Sequence, residues 1–113
     1  HTPNNAETKG LISKELIEKM KPSATFINTA RGPIVDSQAL ADALNAGKLR
    51  AAGIDVFEME PPIPADHPLV TAKNVLLAPH VAFATKEAME RRAEIVFENM
   101  LAWLNGDIRN QIC

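Results

Sequence analysis

The sequence predicts an α/β fold, the second half of a doubly wound parallel sheet with helices against it, and three observations carry that prediction. Strand-length apolar segments alternate with amphipathic segments of helical period, in the order helix, strand, helix, strand, loop, strand, long helix. The strand segments are apolar along their length rather than alternating, as strands covered on both faces are. With 113 residues, 46% of them apolar, the chain has enough material for one core and at most one domain. Three strands make a small sheet, and no strand precedes the first helix. The simplest expectation is that the first half of the domain is absent.

Each element has a local cause. Ile12, Leu16, Ile17 and Met20 share one helical face, with Ser13 placed to cap it and Pro22 to stop it. Ala24 to Thr29 is apolar and partly β-branched and precedes Gly32 and Pro33, which predicts a buried strand ending near Thr29. Asp36 precedes Ala39, Leu40, Ala43 and Leu44, with Gly47 as the C-terminal signal of a second helix. Ala51 to Val56 reads as a strand whose Ala and Gly residues admit a closely packed helix. Pro61, Pro62, Pro64 and Pro68 make the segment from Glu58 to Pro68 a stiff loop. Val75 to Ala78 is a third short strand cut off by Pro79. Thr85 caps a long helix whose Met89, Ala93, Val96, Phe97, Met100, Leu101 and Leu104 form an apolar stripe up to Gly106.

Composition excludes several classes. Twelve Lys plus Arg against 14 Asp plus Glu give a formal charge of −2, and no basic block marks a nucleic-acid or anionic-membrane partner. No apolar run approaches the roughly 18 residues of a membrane span. The lone Cys113 excludes an internal disulfide and a thiolate metal cluster within one chain, and fits a cytoplasmic location. The chain opens on His1 without Met, so the native N-terminus is expected upstream.

In open α/β sheets ligands gather beyond the carboxyl ends of the strands. Arg31 follows the first strand, Asp55 closes the second, Glu60 lies in the loop after it, and His80 follows the third. Taken singly, three of them have an ordinary structural explanation: a turn arginine, a core histidine, a solvated glutamate. Together they form a set with a purpose. Arg31 can grip a carboxylate with two parallel bonds. His80 can carry a proton near neutral pH, and a carboxylate such as Glu60 would orient its ring and favour the protonated form. Asp55 at the end of an apolar strand calls for a positive or hydrogen-bonding partner, and a cationic cofactor ring would serve. That set suits redox chemistry at an oxygen-bearing carbon beside a carboxylate.

Three segments carry a family resemblance: Phe26-Ile27-Asn28-Thr29-Ala30-Arg31-Gly32 with Val35-Asp36, then Ala52 to Pro62, then Asn74-Val75-Leu76-Leu77-Ala78-Pro79-His80 continuing to Thr85, Glu87-Ala88 and Arg91. In order and spacing they resemble the D-isomer-specific 2-hydroxyacid dehydrogenases, the family that includes phosphoglycerate dehydrogenase and the hydroxypyruvate reductases. The resemblance implies the later part of a Rossmann NAD-binding domain over residues 1–105, with residues 106–113 leading to the substrate domain. It implies NAD or NADP as cofactor, a 2-keto or 2-hydroxy acid as substrate, and a homodimer in the full-length protein. By the same resemblance Arg31 binds the substrate carboxylate and keto oxygen, and Glu60 pairs with His80, the proton donor and acceptor. Asp55 lies near the nicotinamide, Thr2 approaches the cofactor, and Thr29, Ala30 and the backbone after His80, including Ala82, line its pocket. Glu58 is the less favoured carboxylate, because the matching position varies in the family.

The family's Gly-x-Gly-x-x-Gly turn and the acidic residue after it do not occur in these 113 residues. This piece alone is therefore expected to bind nicotinamide cofactor weakly or not at all. Three other readings are weighed. A phospho-receiver domain would also end a strand on an aspartate, but it needs an N-terminal acidic pair and a lysine after the last strand, and neither occurs here. A nicotinamide-sensing transcriptional corepressor shares much of the motif set without the enzymatic role. Formate dehydrogenase carries glutamine where Glu60 stands.

Overall fold

The computed structural model describes residues 1–59 and 61–111. They form two compact units, His1–Val81 and Ala82–Cys113. In the first unit the elements are α1 (Lys14–Glu18), β1 (Thr25–Asn28), a 3-10 turn (Gly32–Ile34), α2 (Ser37–Asn45), β2 (Ala51–Ile54), α3 (Pro68–Thr71) and β3 (Val75–Leu77). The second unit holds α4 (Lys86–Leu104). The strands make one parallel sheet in the order β1-β2-β3. The α/β class and the parallel sheet are as the sequence predicts.

Register explains which side of the sheet became core. Phe26 pairs with Ala52 and Ala52 with Val75, while Asn28 pairs with Ile54 and Ile54 with Leu77, so these residues share one face. Ala52 and Ile54 are buried there with Ile17 of α1, Leu40 and Leu44 of α2, and Leu69 of α3. The opposite face carries Ile27, Gly53 and Leu76 in one row, and Ile27 and Leu76 are 69% and 73% exposed. The apolar strands thus reflect two faces, one of which is open among the described residues.

The ends of the elements show where local signals hold. Asp36 caps α2 by accepting from the Ala39 amide at 2.9 Å, and Gly47 follows the C-cap at φ 68°, a left-handed turn that glycine adopts without penalty. Thr85 caps α4 through the Ala88 amide at 3.1 Å. Ser13 occupies the N-cap of α1, but its hydroxyl bonds the Glu15 carboxylate rather than a backbone amide. Ile12, expected on the helix face, instead bridges in parallel to Val35. The segment read as loop through Pro68 ends in α3, with Pro68 at its first position. Strands β2 and β3 stop at Ile54 and Leu77, short of the predicted Val56 and Ala78, and Asp55 lies one residue past its strand. In α4 no residue is buried, and Val96, Phe97 and Met100 of its stripe are exposed. No helix among the described residues is long and apolar enough to cross a membrane.

Candidate active site

The turn after β1 is built by a side chain that mimics backbone. Asn28, buried at the strand end, accepts from the Ala30 amide through Oδ1 at 3.0 Å and donates through Nδ2 to the Arg31 carbonyl, also at 3.0 Å. One amide group thereby closes the turn on both sides. Arg31 leaves it in extended conformation, with Nη1 donating to the Ala30 carbonyl at 2.6 Å. Gly32 comes next, and its backbone lies so close to residues 57 and 58 that a Cβ would overlap the Phe57 carbonyl group and the Glu58 nitrogen. The Arg31 turn is therefore pressed against the segment leaving β2, an approach only glycine permits.

Asp55 continues that arrangement. It is 4% exposed, its backbone amide donates to the Asn28 carbonyl at 3.0 Å, and its Oδ1 accepts from the Val81 amide at 2.8 Å. The buried carboxylate thus has a backbone donor on the segment that follows β3, which answers part of its need for a partner. Immediately before that donor stands His80, at φ 58° in the left-handed region. This conformation costs a non-glycine residue on the order of 1 kcal/mol and persists where surrounding bonds enforce it. The Val81–Asp55 bond, with the Ala78 amide donating to the Ile54 carbonyl at 2.8 Å, supplies that enforcement.

Arg31, Asp55 and His80 line one cavity of about 310 Å³. Among the described residues the rest of its wall is apolar, with Phe57, Met59 and Ile63 from the loop after β2, and Val70 and Leu77 from α3 and β3. Glu60 lies outside the described residues, while Met59 and Pro61 on either side of it in sequence belong to the wall. Thr29 and Ala30 are half-buried at the start of the Arg31 turn and Thr2 is half-buried near the chain start, and none of the three lines this cavity. Ala82 is exposed and belongs to the second unit. Among the described residues this recess offers one carboxylate, one guanidinium and one imidazole, a set that fits the nicotinamide end of a dinucleotide. The pyrophosphate end has no Gly-x-Gly-x-x-Gly turn here to receive it.

One polar cluster is absent from the sequence reading. His67, nearly buried, places Nε2 at 3.0 Å from Glu58 Oε2, and its Nδ1 accepts from the Leu69 amide at 3.2 Å as the N-cap of α3. Because Nδ1 is the acceptor, the ring proton sits on Nε2 and is donated to the carboxylate. The Phe57 ring stands edge-on to the imidazole at 5.2 Å. Burial raises the Glu58 pKa, but hydrogen bonds from Ser37 and His67 outweigh it and hold the carboxyl below its ordinary value of 4.5. The only hint in the sequence is a histidine directly before Pro68, where a cap precedes a first-turn proline.

Residues 1–82 match the family described as D-isomer specific 2-hydroxyacid dehydrogenase, NAD binding domain. Among curated relatives the chain is 50% identical over 108 residues to a glyoxylate reductase of Thermofilum pendens, covering 96% of this chain and 32% of that protein. It is 43% identical over 112 residues to a hydroxypyruvate reductase of Blautia hydrogenotrophica, covering 99% of this chain and 34% of that protein. Among solved structures it resembles an acyclic imino acid reductase in complex with NADPH and D-Arg, with a TM-score of 0.87 and 34% identity over 100% of this chain and 36% of that one. A D-lactate dehydrogenase from Sporolactobacillus sp. gives a TM-score of 0.87 at 32% identity, covering 99% of this chain and 38% of that one. The chain thus spans about a third of the length of the curated relatives it matches. Sheet topology, the Arg31 turn and the family match agree, and the chain belongs to the D-isomer specific 2-hydroxyacid dehydrogenases, residues 1–82 matching their NAD-binding domain.

Proposed function

We propose that this chain is the later part of the cofactor domain of an oxidoreductase that interconverts a short 2-keto acid and its D-2-hydroxy acid using NAD or NADP. The observation that carries the reading is the shared cavity of Arg31, Asp55 and His80, three residues from three different strand ends. A bound dihydronicotinamide supplies the hydride that reduces the carbonyl carbon. Arg31 binds the substrate carboxylate through paired N–H donors and orients the carbonyl. His80, protonated, gives its proton to the carbonyl oxygen as that oxygen gains the electron pair of the C=O bond, and the alcohol forms. Glu60 pairs with the imidazole and favours its charged form, and Asp55 favours the positive ring left after hydride departure. Oxidation runs the same steps in reverse.

Thr2, Thr29, Ala30 and Ala82 complete the cofactor contacts in this reading, residues 1–105 belong to the cofactor domain, and residues 106–113 lead towards the substrate domain. The full-length protein is a cytoplasmic homodimer. Glyoxylate and hydroxypyruvate are the favoured substrates, since relatives named for reducing them reach 43–50% identity. The test is NAD(P)H oxidation by the full-length protein with either acid. His80→Ala should lower turnover by about 100-fold or more while leaving cofactor affinity in place. A wild-type protein that binds cofactor but turns over no 2-keto acid would favour the corepressor type of relative, and near-normal turnover in His80→Ala would remove His80 from the chemistry.

A further inference from the structure

The loop between β2 and α3 supplies Met59, Pro61 and Ile63 to the cavity wall, and a side-chain hydrogen bond fastens its two ends. Glu58 opens the loop and His67 closes it, nine positions apart and joined by the 3.0 Å bond from Nε2 to Oε2. Each partner is itself anchored to an element of the fold. The Glu58 nitrogen lies beneath Gly32 in the Arg31 turn. His67 caps α3 through Nδ1 and has the Phe57 ring against its own. The bond therefore links the Arg31 turn and α3 at the point where the loop begins and ends.

We propose that Glu58 and His67 act as positioning residues, a clasp that holds Met59, Pro61 and Ile63 in the cavity wall so that the wall is set for the reaction. The inference rests on the functional reading above. Neither side chain lines the cavity, so neither is a catalytic residue. The chemistry of the clasp is a neutral N–H donor on a carboxylate, and it is separable from the cap. An asparagine at 67 can still accept from the Leu69 amide, because short polar side chains are favoured N-caps, but it is too short to reach Glu58. A glutamine at 58 can still accept from His67 Nε2 and keeps the link without the charge.

The experiment uses the full-length protein labelled at Met and Ile methyl groups, as wild type, His67→Asn and Glu58→Gln. In His67→Asn the methyl order of Met59 and Ile63 should fall, kcat/KM for glyoxylate should drop about 10- to 100-fold, as small displacements near reacting atoms do, and affinity for reduced cofactor should stay within about threefold. Glu58→Gln should match wild type in methyl order and within about threefold in kcat/KM. Unchanged methyl order in His67→Asn overturns the clasp. Lowered order with unchanged kcat/KM, or with a parallel loss of cofactor affinity, overturns the positioning role. Absence of turnover in wild type overturns the functional reading on which the role depends, and the methyl measurement then decides whether the clasp holds the loop.

Discussion

His80 and Glu58 are placed by opposite means, and each means has a consequence that can be measured. His80 is held in left-handed backbone directly before the Val81 amide, which donates to the buried Asp55 carboxylate. Glu58 is held by donors, Ser37 and His67, which favour its ionised form over the pull of burial. A carboxyl whose folded pKa is depressed binds protons more readily when unfolded, so its contribution is present above the unfolded value and is lost as pH falls through the folded one. The wild-type protein should therefore lose its stability advantage over Glu58→Gln as pH falls below about 4.5, the ordinary value, and keep it above. Thermal unfolding midpoints of the two proteins from pH 7 to pH 3 check this, and a difference that does not change with pH contradicts it.

Among elements, the turn after β1 and the segment after β2 behave as one piece because Gly32 lets them touch. Gly32→Ala should destabilise the protein by about 1–3 kcal/mol, the usual cost of forcing extra volume into a packed site, read from a denaturation midpoint with unchanged slope. Much of this level was legible in advance. Asp36, Thr85 and Gly47 mark helix ends because capping is a contact between near neighbours in sequence. The short buried strands were legible from composition, although β2 and β3 end earlier than apolarity suggests, since residues such as Val56 stay buried after pairing stops. Helix α3 was not legible, because four residues hold no period and Pro68 looks like loop when its role is to start a helix. Ser13 misled because a nearby glutamate competes for its hydroxyl. That Arg31, Asp55 and His80 line one cavity could be anticipated from strand ends, with Glu60 of the same set outside the described residues, whereas Asn28 and the Glu58–His67 pair could not. Their roles depend on a turn and a loop closure that no local pattern records.

For the molecule as a whole, three remote side chains converge because a parallel sheet brings the carboxyl ends of all its strands to one edge. Family membership follows from the match over residues 1–82. The most direct test is a crystal structure of the full-length protein with cofactor and oxamate, an isostere of a 2-keto acid. The predicted result is the oxamate carboxylate bonded to both terminal nitrogens of Arg31 at about 2.7–3.2 Å, with its carbonyl oxygen in hydrogen-bond reach of His80. Oxamate bound away from Arg31, or His80 turned from the bound acid, would contradict the account.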